Sequence, residues 1–250
     1  MENLGLSDFD LISGRDIVLP QICTVHQPTL DDIRHVGIMI YRAYLNTLLL
    51  NINSLLQVKN IQSNELQILQ NTPIFVLLIQ EETMRKMLVE SLSFFVKEKL
   101  EFDKEVQGIW ALDEDVPIGL INAKSFPFVR SAIIRLSYLE DTESAKSVLK
   151  FRNSKASRIF NQIQEGRAQT QKNNKATQNL DIANLISAVS AKHPSYNLLN
   201  IWGLTVYQLY DQFYRISRNV AFDINSTRWS VWGEDEFDLS VWYQKLKEGE

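Results

Sequence analysis

Apolar residues recur at helical spacing along most of the chain. Ile33, Val36, Ile40, Tyr44 and Leu48 fall on one face, and this periodicity predicts a single amphipathic helix over about residues 30–51. Thr29 stands before it as an N-cap, with Asp31 and Asp32 in a first turn where carboxylates are favourable. Thr72-Pro73 gives a second start signal, a capping hydroxyl followed by proline. Ile74 to Ile79 is apolar all round and predicts a short helix buried on every side. A stripe of Met84, Met87, Leu88, Ser91, Leu92 and Phe95 carries helix on to about Lys97. Further helices are expected over Phe128–Leu139, Leu180–Lys192 and Leu204–Ser217, and a short one over Leu239–Leu246.

Strand signals are sparser. Ile17-Val18-Leu19 and Ile22–Val25, split by Pro20, read as extended segments of edge-strand type. Leu100–Phe102 and Gly108–Leu112 predict a small hairpin, followed by a turn at Asp113-Glu114-Asp115 with Pro117 nearby. The fold class expected is mainly α: a multi-helix N-terminal domain with a small β-hairpin or edge strands, plus a small aromatic-rich helical C-terminal module.

Domain limits follow from a change in composition. Lys146 to Lys175 holds eight basic residues against one acidic residue, Glu165, and its second half is rich in Gln, Asn, Lys and Thr. A stretch with so little to bury cannot offset the entropy of ordering it. The expected organisation is therefore an N-terminal domain over 1–163, a polar basic linker over 164–179 and a C-terminal module over 180–250. Apolar residues at 45% and charged residues at 22% belong to a packed chain and not to a disordered one. Nine glycines and six prolines are too few for a sandwich or barrel.

Charge and candidate chemistry narrow the function class. A net charge of -4 gives no bulk attraction to nucleic acid or anionic lipid. The lone cysteine, Cys23, rules out an intrachain disulfide and a thiolate cluster. Cys23 and His26 form a C-x-x-H pair, but a metal site needs a second pair, and His35 and His193 supply no such spacing. Phosphate-loop, dinucleotide, nucleophile-elbow and zinc-helix motifs do not occur, so the expectation is a non-enzyme without cofactor or metal. Met1–Leu19 lacks a basic start and apolar run, and the longest strongly apolar stretch, Ile74–Ile79, is far short of a span. A cytoplasmic protein of the host cell with no membrane partner is expected.

Two surfaces remain as binding candidates. Lys150, Arg152, Lys155 and Arg158 form a basic face that could track phosphates. It lacks interleaved exposed aromatics, so a solvated helix is preferred to a nucleic-acid surface. The second candidate lies in the C-terminal module, where four of the five tryptophans fall. Tyr196, Trp202, Tyr207, Tyr210, Tyr214, Trp229 and Trp232 are the candidate partner-binding residues there, because large rings serve both cores and interaction hot spots.

The motifs AKHPSYN, IWGLTVYQLYDQF and WSVWG, with the upstream VHQPTLDDIRHVG, resemble tail-assembly-chaperone-like proteins of phages and prophages of Gram-positive bacteria of the Firmicute group. The resemblance implies a binder that transiently covers tape-measure or tail-tube subunits during virion assembly. It allows a homo-oligomer. Two rivals are a structural tail or baseplate component retained in the virion, and a nucleic-acid-binding accessory protein using the 146–175 segment.

Overall fold

A computed structural model describes residues 6–50, 72–139, 181–233, 238 and 240–244. The chain divides into two compact units, one formed by Met1–Asp141 with Gly203–Gln208, the other by Thr142–Trp202 with Leu209–Glu250. The expected linker over 164–179 and the basic face at Lys150, Arg152, Lys155 and Arg158 lie outside the described residues.

The first unit opens with a short helix, α1 (Asp8–Ser13). The Ser7 hydroxyl accepts the Asp10 N–H and the Asp10 carboxylate takes the Ser7 N–H, a reciprocal cap. Gly14 ends the helix in the left-handed region, with φ 68°. A hairpin follows, β1 (Ile17–Leu19) antiparallel to β2 (Cys23–Val25). Ile17, Leu19, Cys23 and Val25 face inward while Val18 faces solvent, as the two-residue strand period requires. Next come α2 (Leu30–Val36) and α3 (Ile38–Leu49). The single helix expected over 30–51 is broken because Gly37 sits at φ 92°, ψ 135°, outside helical space.

The remaining helices of this unit are α4 (Ile74–Gln80), α5 (Glu82–Phe95) and α6 (Phe126–Leu136). Between the last two lies a three-stranded antiparallel sheet: β3 (Lys99–Asp103), β4 (Gly108–Asp113) and β5 (Val116–Ile121), in that order. The acidic turn joins β4 to β5, with Glu114 and Asp115 both at positive φ (47° and 68°), the backbone of a tight two-residue hairpin loop. Pro117 lies in β5, an edge strand where a missing N–H does no harm.

This corrects the mainly α expectation. Among the described residues there are two antiparallel sheets beside eight helices, not a lone hairpin or edge strands. The sheets are tied together: Leu120 of β5 donates its N–H to the Gln21 carbonyl at 3.1 Å. The other side of β2 is filled by the chain after α5. Val25 bridges Val96, His26 N–H donates to the Phe95 carbonyl, and the Glu98 carboxylate accepts the Thr24 N–H at 2.9 Å. Strand content was underread because Val116–Ile121 carries a proline and a glycine within six residues, the composition that normally marks a loop.

The core lies where α3, α5 and α6 meet the strands. Tyr41 packs on Phe94 and Phe95, and Phe75 packs on Phe126 with centroids 5.2 Å apart. Leu88, Leu92, Ile109, Ile121 and Ile133 are fully buried, each side chain contributing about 1.5–3 kcal/mol. Arg130 is buried among them and donates from Nε to the Leu48 carbonyl at 2.7 Å.

The second unit contains α7 (Ile182–Lys192), most of α8 (Val206–Trp232), a 3₁₀ turn at Val241–Tyr243 and the first two residues of another at Ile201–Gly203. The helix expected over 204–217 continues for fifteen residues more, so that the WSVWG motif forms its last turn. Of the helix expected over 239–246, one 3₁₀ turn is present at Val241–Tyr243. Among the described residues, no helix is long and apolar enough to cross a membrane.

Candidate interaction surface

The segment from α7 into α8 carries the aromatic candidates. The helix α7 buries Leu185 and Val189, four residues apart on one face. It stops at His193, which is extended (φ -74°, ψ 134°) because Pro194 follows. His193 then builds the next turn: its Nδ1 accepts the backbone N–H groups of Ser195 and Tyr196, each at 3.0 Å. A ring nitrogen that accepts carries no proton, so a neutral His193 holds its proton on Nε2. The Tyr196 ring lies against the imidazole with centroids 4.7 Å apart, half-buried. Asn197 and Asn200 close the loop by side-chain bonds to backbone, and Trp202 donates from Nε1 to the Leu198 carbonyl at 2.7 Å.

Gly203–Gln208 belongs to the first unit. There Thr205 bridges Thr29, and Leu30 N–H donates to the Leu204 carbonyl at 2.8 Å. Thr205 and Gln208 cap the start of α8 reciprocally: Gln208 N–H donates to the Thr205 hydroxyl, and Thr205 N–H to Gln208 Oε1. Gln208 Nε2 reaches on to the Ile12 carbonyl at 2.8 Å. Tyr207 packs on Tyr138, centroids 5.5 Å apart. The segments HQPT and GLTVYQ, which stand out separately in the sequence, therefore meet in one place, around the starts of α2 and α8.

Farther along α8, Tyr210 and Tyr214 stack at 6.5 Å, and Phe213 meets Tyr214 edge-on at 5.5 Å. Burial pushes the Tyr214 phenol above its ordinary value. Burial also raises the carboxyl of Asp211, an effect that the Arg215 guanidinium 3.7 Å away partly offsets. Trp229 and Trp232 are 50% and 65% exposed, at the end of α8. The seven aromatic candidates thus divide into loop builders (Tyr196, Trp202), a docked residue (Tyr207), a half-buried ladder (Tyr210, Tyr214) and an exposed pair (Trp229, Trp232). Sequence reasoning passed over Ile224 and Val231, which are 56% and 64% exposed on the same helix. Their signal was a continuation of the helical period beyond Ser217.

The Cys23–His26 pair is split by the fold. Cys23 faces the core, and burial, then the nearby Glu98 charge, push its thiol up to about 12. It is a thiol and not a thiolate at neutral pH, which suits neither a metal ligand nor a nucleophile. His26 instead binds Asp16 through Nδ1 at 2.8 Å, and Lys97 holds the other oxygen of Asp16 at 2.7 Å. Among the described residues no group of three or more His, Cys, Asp or Glu side chains could hold a metal ion.

Comparison with known proteins places one match on this region. A family model described as the YomV second domain matches residues 171–247. That family name is associated with phages and prophages, which supports a phage connection for this chain. No curated protein and no solved structure matches.

Proposed function

We propose that this chain is a tail-assembly-chaperone-like protein of a phage or prophage of a Gram-positive (Firmicute) host, which transiently binds tape-measure or tail-tube subunits during virion assembly. The observation that supports this reading best is the exposed end of α8, where Trp229 and Trp232 lie half or more in solvent within the segment matched by the YomV second domain. Large aromatic rings left in water at a helix end are suited to capturing an apolar helix face of another chain.

Co-expression of the tagged full chain with the neighbouring phage genes, followed by affinity capture and mass spectrometry, tests the proposal. Recovery of the tape-measure or tube protein is expected, together with absence of this chain from purified particles. Replacing both Trp229 and Trp232 by alanine should weaken capture by about thirtyfold or more, the loss of about 2 kcal/mol typical of an anchoring ring. Presence of the chain at fixed stoichiometry in finished virions would instead make it a structural tail component.

A further inference from the structure

The sequence of α8 carries a second pattern besides its aromatic ladder. Ser217, Val220, Ile224, Thr227 and Val231 follow one another at steps of three and four, the a and d positions of two heptads. All five lie in the second unit, and Ile224 and Val231 are more than half exposed. The two polar members are already satisfied within the helix. The Ser217 hydroxyl donates to the Phe213 carbonyl at 2.9 Å and the Thr227 hydroxyl to the Asp223 carbonyl at 2.8 Å. Both therefore tolerate an apolar neighbour, because no donor is left to desolvate.

Charge on the flanks of this seam identifies what covers it. Asp223 falls at a g position and Arg228 at the following e position, five residues on. In a parallel two-stranded coiled coil, g of one strand faces e of the next heptad on its partner. A second copy in register would thus place Asp223 beside the partner's Arg228, twice by symmetry. Both side chains are exposed. The chain's own C-terminal segment lies on another face: Arg215 and Arg218 both donate to the Gln244 carbonyl, at 2.9 and 3.0 Å. Those arginines stand opposite or beside the seam at helical spacing.

We propose that two copies of this chain pair through the seam Ser217–Val231 as a short parallel coiled coil. Trp229 falls at f and Trp232 at b, outside the seam, so the pair would present two tryptophan surfaces outward. The inference stands on the helix alone and does not depend on the identity of any tail partner. About 21 Å of helix is engaged, given the rise of an α-helix. So small an interface belongs to the weak, concentration-dependent class, with Kd about 10–100 µM.

Sedimentation equilibrium of the full chain tests this. Dimer is expected at about 100 µM, and Ile224→Asp with Val231→Asp should abolish it without changing far-ultraviolet dichroism. Asp223→Lys and Arg228→Glu should each raise Kd by about fivefold or more, and the two together should restore it. Thr227→Cys should give a disulfide-linked dimer on mild oxidation, while the chain with buried Cys23 alone gives none. A monomer at all concentrations overturns the proposal. So does a dimer that survives the double aspartate variant, a charge swap without recovery, or a Thr227→Cys dimer that does not cross-link.

Discussion

Gly119 stands where the two sheets of the first unit touch, and a side chain there has nowhere to go. A Cβ at this position would lie 2.6 Å from the carbonyl carbon of Ile22 and 2.8 Å from its nitrogen, both backbone atoms. Backbone yields poorly, so Gly119→Ala is expected to destabilise the protein by about 2–4 kcal/mol, read by denaturant unfolding. Asp16 offers a different residue-scale test. Burial raises its carboxyl, but the bonds from Lys97 and His26 outweigh burial and leave it lowered. A lowered folded value means stability that is complete above the unfolded value of about 3.9 and lost as pH falls through the folded one. Asp16→Asn should therefore cost about 1 kcal/mol at pH 6–7, with the deficit fading as pH falls below the unfolded value of about 3.9. A deficit that stays constant down to pH 2 would refute the ionic account. Neither site was legible beforehand. A glycine reads as loop until its neighbour across the fold is known, and Asp16, His26 and Lys97 are far apart in the chain.

At the scale of elements, the periodic helices were legible and their limits less so. Of the stripe Met84, Met87, Leu88, Ser91, Leu92 and Phe95, the last four are buried, while Met84 is half-buried and Met87 is 44% exposed. Helix α1 was missed although Ser7-x-x-Asp10 and Gly14 spell its two ends, because its six residues give hardly two turns of periodicity. Helix α8 was cut short because Asn219, Asp223, Asn225 and Ser226 look like a loop. They lie on a helix whose apolar positions continue beneath them. The start of α8 gives the element-scale prediction. Gln208 both caps the helix and holds the Ile12 carbonyl in the last turn of α1. Gln208→Ala removes two partners at once and should cost about 1–2 kcal/mol. Gln208→Glu keeps the acceptor but not the donor and should recover part of that loss. Equal losses in the two variants would assign the whole effect to the bond with Ile12.

For the whole molecule, the consequence of Gly203–Gln208 lying in the first unit is that its stability depends on residues two hundred positions apart. Composition drew the expected division at 164–179, where burial potential falls away. It could not show that a later stretch, strongly apolar and next to a helix start, is spent on the N-terminal core. Leu204 and Val206 are buried there beside Thr205, whose backbone bridges Thr29. Removing a buried branched side chain leaves a cavity and costs about 2–4 kcal/mol. Leu204→Ala in the full chain should therefore lower hydrogen-exchange protection at the amides of Leu30–Val36 and Cys23–Val25, which lie in the same cooperative unit. Ile224→Ala, on the exposed part of α8, should leave those amides unchanged. If Leu204→Ala deprotects only α8, the N-terminal unit is complete without its returning segment, and the meeting of HQPT with GLTVYQ adds no measurable stability to it.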